Sequence, residues 1–160
     1  MDENKIDMLV AGAQFDICGY DMVRRVEISP LRFIHRAALP GGGCVSLFKV
    51  LFTNVCVNDC AYCINQVGLD RPRRSFQSEE LAKLFMELYR KRLVRGLFLT
   101  SGIGHNPSQT MESMINTVEI LRQRYEFKGY IHLKILPGAS FDCVAEGCKL
   151  ASRVSINVEA

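Results

Sequence analysis

The spacing of apolar and polar residues predicts alternating helices and strands along most of the chain. Ile6, Leu9, Val10 and Ala13 fall on one helical face, and residues 39–43 (LPGGG) read as a turn that closes this first region. Residues 44–55 (CVSLFKVLFTNV) are almost continuously apolar, with only Lys49 interrupting, as in a strand buried on both faces. Ser78 reads as an N-cap with Glu79 and Glu80 behind it. Leu81, Leu84, Phe85 and Leu88 then trace an amphipathic helix ending near Arg95 and Gly96. A short strand over 96–102 (GLFLTSG) runs into a glycine-rich loop. Ser108 or Thr110 is expected to cap a second helix that buries Met111, Met114, Ile115, Val118 and Leu121. A strand over 130–136 (YIHLKIL), a third helix capped by Ser140 and a last strand over 153–159 (RVSINVE) complete the pattern.

Strand and helix alternating after residue 43 define an α/β chain with a parallel sheet or barrel of about four strands. Residues 1–43 are expected to be a helical and irregular extension, and residues 44–160 the core. Right-handed crossovers bring the C-terminal ends of the strands to one side. The unusual chemistry collects there: CVNDCAYC at 56–63, TSGIGH at 100–105 and PGAS at 137–140. Active sites of barrels and open α/β sheets form at that end. On the last strand Ser155, Asn157 and Glu159 alternate with Val154, Ile156 and Val158. The three polar residues therefore share a face, which turns either into a lumen or out to solvent.

Composition narrows the class. At 160 residues the chain can bury one core, and 48% hydrophobic with 23% charged residues is the balance of a soluble globular protein. No apolar run approaches the ~20 residues that span a bilayer, so no membrane association is expected. The start, MDENKIDMLV, does not read as a secretory signal, and the expected location is cytoplasmic. In that reducing setting seven cysteines point to metal binding or catalysis rather than to disulfides. A net charge of +3 does not by itself imply nucleic-acid binding. Arg71, Arg73 and Arg74, and then Arg90, Lys91, Arg92 and Arg95, are clustered cations that could meet phosphate or simply face solvent.

Cys56, Cys60 and Cys63 fall within eight residues of loop. Buried thiols would suit such a spacing poorly, since Asn58 and Asp59 lie between them. Structural zinc normally closes with four ligands, for which His35, Cys44 or His105 would be needed. A C-x-x-C disulfide would use Cys60 and Cys63 but leave Cys56 idle. An iron–sulfur cluster suits three thiolates in a short loop best, and would leave one iron without a protein ligand. Cys18, Cys44, Cys143 and Cys148 carry no assigned role; the last two are five apart on a helix and so on different faces. His35 and His132 read as structural, and His105 as either a loop hydrogen-bonder or a substrate contact.

The pattern C-x₃-C-x-Tyr-C after the first core strand resembles the radical S-adenosylmethionine (SAM) superfamily, through Cys56, Cys60, Tyr62 and Cys63. That resemblance implies a partial TIM-like (βα) barrel, with the three cysteines holding a 4Fe-4S cluster whose fourth iron binds SAM. One-electron reduction, by a donor such as ferredoxin or flavodoxin, would then yield a 5′-deoxyadenosyl radical. It also implies that Tyr62 lies on the adenine side of SAM. Ser101 and Gly102 stand where the family carries a Gly-Gly-Glu element, here without its glutamate. Lys134 could meet the SAM carboxylate, and Ser155, Asn157 and Glu159 match a ribose- and carboxylate-contacting strand position.

Within the superfamily, SLFKVLFTNVCVNDCAYCINQ, GLFLTSGI, GYIHLKILPGAS and SINVE are similar to a branch assigned to DNA modification or repair. The branch implies DNA and a uracil-DNA-glycosylase-like protein as partners. The family's core continues into further βα units, so the chain is expected to be the N-terminal part of such a core, with the C-terminal part as a further partner. Two other readings stand beside this one: an iron–sulfur module that transfers electrons or senses redox state, and a truncated, non-catalytic fragment.

Overall fold

The computed structural model describes residues 3–13, 34–38 and 42–157. They form an α/β fold with one five-stranded sheet and four α-helices among the described residues. The elements run α1 (Glu3–Ala13), β1 (Ile34–Ala38), β2 (Cys44–Leu51), α2 (Ser78–Arg90), β3 (Gly96–Thr100), α3 (Pro107–Glu119), β4 (Tyr130–Ile135), α4 (Phe141–Leu150) and β5 (Arg153–Ile156). One π-helical turn, Ile120–Arg124, extends α3. The strands lie in sequence order; β2 to β5 are parallel, and β1 pairs antiparallel to β2. Among the described residues the sheet is open and closes into no barrel.

β1 was not expected. The sequence pattern gave a helical and irregular segment before residue 43, but Ile34 pairs with Phe48 and Ala38 with Cys44. IHRAA lacks the β-branched run that marks a strand. The pairing partner, rather than local propensity, makes it extended. Gly42 and Gly43, at φ +87° and +85°, provide the left-handed turn at the start of β2.

Register divides the sheet into two faces. Phe48, Val50, Leu97, Leu99, Ile131, Leu133 and Ile135 belong to the main core with the apolar faces of α2, α3 and α4. On the other face Lys49 pairs with Phe98, Phe98 with His132, and Lys134 with Ser155. This second face is polar yet buried: Lys49, Thr100, His132 and Lys134 are all at most 7% exposed. Lys49 Nζ lies 5.0 Å above the Phe98 ring, and the His132 ring meets Phe98 edge-on at 4.3 Å. His132 Nε2 shares a 2.8 Å hydrogen bond with Ser155 Oγ. α1 packs against β2, where Gly12 leaves room for Leu51: a Cβ on Gly12 would lie 2.5 Å from Leu51 Cδ1. At its other end Lys5 pairs with Glu80 of α2 at 2.6 Å.

Several element ends differ from expectation for local reasons. α2 stops at Arg90 rather than near Arg95, because Arg92 takes φ +59° and returns Val94 to the core. Its N-cap is Gln77, not Ser78; Ser78 is already helical and donates its hydroxyl to Ser113 O of α3 at 2.7 Å. α3 is capped by Asn106 rather than Ser108 or Thr110, since Pro107 takes the first helical position and holds the residue before it extended. Ser140 caps α4 as expected, accepting from Cys143 N at 3.3 Å. The strands end earlier than expected, at Leu51, Thr100, Ile135 and Ile156.

Candidate functional site

The cysteine loop is fixed at both shoulders by backbone pairing. Beyond β2, Phe52 N–H donates to Thr100 O at 2.7 Å, Gly102 N–H to Thr53 O at 2.7 Å and Val57 N–H to Ile103 O at 2.8 Å. The segment that returns toward α2 runs beside this stretch: Phe76 N–H donates to Phe52 O and Asn54 N–H to Arg74 O. Asn54, fully buried, adds two side-chain bonds, donating to Pro72 O at 3.0 Å and accepting from Arg74 N–H at 2.6 Å. Inside the loop Cys63 N–H donates to Cys60 O, Gln66 N–H to Cys63 O and Val67 N–H to Asn58 O. These turns take the place of regular secondary structure.

Cys56, Cys60 and Cys63 line one cavity of about 150 Å³ at the C-terminal end of the sheet. Ser101 and Gly102 after β3, Lys134 on β4 and Asn157 after β5 also line it, as does Tyr62. Tyr62 is 66% exposed, which puts it at the rim rather than in the wall. The Ser101 hydroxyl donates to Gly102 O at 2.7 Å, so backbone and hydroxyl there are already coupled. Ser155 is not part of the cavity wall; it lies deeper on the same sheet face, bonded to His132. Glu159 lies outside the described residues, as does Cys18.

The structure adds residues that the pattern did not single out. Asn65 N–H donates to Cys63 Sγ at 3.4 Å, which fixes the sulfur against its own turn. The Asn65 Oδ1 atom is buried without a hydrogen-bond partner, close to Gly12 of α1. Gly12, Ile103, Leu136 and Pro137 are among the further wall residues and make much of it apolar. A β-turn asparagine and an ordinary helical glycine carry no sequence signal of such a role. A second cavity, about 270 Å³, is lined by Thr53, Ser75, Thr110 and Ser113 and by no cysteine, histidine or charged side chain.

Among the described residues no three His, Cys, Asp or Glu side chains converge closely enough to hold a single metal ion. Tetrahedral zinc needs its ligands at bond lengths of about 2.3 Å from one point. A cluster makes a different demand: each thiolate binds a different iron, so the cysteines must border one cavity rather than meet at a point. The donors considered as a fourth ligand are also misplaced. Cys44 opens β2 and the cysteine loop follows its end, a separation of about 23 Å along the strand. His35 pairs with Leu47, toward that same far end, and His105 is exposed and does not line the cavity. Cys143 is buried and Cys148 exposed, on different faces of α4.

Two arginines of the cluster bond within the chain. Arg71 and Arg73 turn their guanidinium groups onto carbonyls of the cysteine loop. Arg90 ends α2, and Lys91, Arg92 and Arg95 lie between it and β3; all four are exposed, at the end of the sheet opposite the cavity.

Compared with models of known protein families, with curated proteins and with solved structures, the chain gives no significant match.

Proposed function

We propose that the chain is a radical SAM protein or the cluster-bearing part of one, in which Cys56, Cys60 and Cys63 hold a 4Fe-4S cluster. The observation that carries this reading is that these three thiols, and no other described cysteine, border one cavity with Ser101, Gly102, Lys134 and Asn157. Strand order supports it as well. β2 to β5 follow without the reversal of a doubly wound sheet, and α2, α3 and α4 pack side by side, as in a partial βα barrel.

Bound there, a cluster with one iron free of protein ligands would supply the one-electron reduction that cleaves SAM to a 5′-deoxyadenosyl radical. The chain's own residues position and shield. The Lys134 ammonium at the wall suits a carboxylate, and Asn157 and the carbonyls beside Ser101 and Gly102 suit ribose hydroxyls or an ammonium. Ile103, Leu136 and Pro137 exclude water from that end of the cavity. The nucleic-acid part of the reading rests on the resemblance of the sequence. The exposed cations at Arg90–Arg95 lie too far round the sheet to serve this cavity directly.

Anaerobic reconstitution tests the proposal. Uptake of about four irons per chain and release of 5′-deoxyadenosine from SAM under a strong reductant are expected. Tightly bound zinc with no iron uptake would overturn it.

A further inference from the structure

We infer that Arg73 is a positioning residue that staples the neck of the cysteine loop, through the shape of its guanidinium rather than its charge. Its Nη1 donates to Asn54 O at 2.7 Å and to Asn65 O at 2.8 Å; its Nη2 donates to Gln66 O at 2.6 Å and to Leu69 O at 3.3 Å. Asn54 stands two residues before Cys56, and Asn65 two residues after Cys63. One side chain thus joins the segment that enters the loop to the segment that leaves it, with all three cysteines held between. Arg71 adds a single bond to Ile64 O at 2.8 Å.

A planar fork with five N–H donors can serve carbonyls on two sides at once. Lysine has the charge and the reach but not the fork. Without the guanidinium, the buried carbonyl of Asn54 loses its partner and the exit segment from Asn65 to Leu69 loses its tie to the sheet. The staple gives the Arg71–Arg74 run a structural purpose that its composition conceals. For its effect on the loop the inference stands on geometry alone. Its effect on iron rests on the cluster reading proposed above.

Amide hydrogen exchange of the metal-free protein separates the two. In Arg73→Lys, exchange at Cys63, Gln66 and Val67 is expected to rise about tenfold, while amides of β3 and β4 keep the parent rate. The same variant, once loaded with iron, should lose it to a chelator several-fold faster than the parent. Unchanged exchange at the three loop amides, or a rise equal to that in the strands, would overturn the staple. Should Arg73→Lys fail to fold, Arg73→Gln, whose amide keeps two N–H donors but not the fork, takes its place; a rise confined to those amides supports the inference, and none refutes it. If the parent takes up no iron, the cluster reading fails and hydrogen exchange still decides the staple.

Discussion

Gly102 shows how a single residue can answer to both packing and chemistry. Its N–H donates to Thr53 O, and a Cβ built on it would strike Val55 O and lie 3.1 Å from Val55 C and 3.2 Å from Thr53 O. The obstacle is backbone on the approach to Cys56, which cannot swing aside as a side chain would. Gly102→Ala is therefore expected to cost about 1–3 kcal/mol by overpacking, read as a lower thermal midpoint, and to impair iron uptake by pushing the loop outward. Ser101→Ala removes only the 2.7 Å bond to Gly102 O, at about 0.5–1.5 kcal/mol, and should leave iron uptake near the parent level. At this scale the sequence singled out Gly102 as a ligand contact, and the structure adds a packing demand that the sequence did not show, close approach to the backbone of Thr53 and Val55. Arg73 was legible only as a cation, because nothing in RPRR distinguishes an arginine turned onto carbonyls from one in solvent. Arg122 repeats the device elsewhere, donating to the carbonyls of Phe127, Gly129 and Leu150. Burial pushes its pKa below the ordinary value, yet an arginine stays protonated through the neutral range.

Elements were easier to read than their ends. The apolar faces of α2 and α3 follow from the 3.6-residue period, and Leu81, Leu84, Phe85, Met111, Met114 and Val118 are all buried. Capping was misjudged where two signals competed. At α3 the hydroxyls of Ser108 and Thr110 looked like caps, but Pro107 fixes the first helical position and assigns the role to Asn106. Asn106 Oδ1 accepts from Gln109 N–H at 3.2 Å, so Asn106→Ala should lower stability by about 0.5–2 kcal/mol in thermal or denaturant unfolding. Ser108 has a different duty, accepting from Ser140 N–H at 3.0 Å and so tying the starts of α3 and α4 together. A loss on Thr110→Ala larger than that on Asn106→Ala would show that the cap lies where the sequence first suggested. β1 was missed because its residues have little intrinsic strand preference, and only pairing with β2 makes them extended.

For the whole molecule the informative feature is which end of the sheet each cysteine occupies. The α/β class and the gathering of loops at one end were legible from element order, because crossover handedness is a general rule. The cavity wall was less legible, since Gly12 and Asn65 reach it through tertiary packing. For the proposed cluster, this arrangement bears on whether one iron would stay open or be closed by Cys44. Cys44 was the candidate for closure, and it sits about 23 Å from the loop, at the start of β2. Cys44→Ala should therefore keep the parent's iron content and cluster spectrum, whereas alanine at Cys56, Cys60 or Cys63 should each lose most of the iron. An open iron further requires that added SAM change the spectrum of the reduced cluster in both parent and Cys44→Ala. Loss of the cluster on Cys44→Ala, or a spectrum that ignores SAM, would favour a closed electron-transfer site and remove the free coordination position on which the catalytic reading depends.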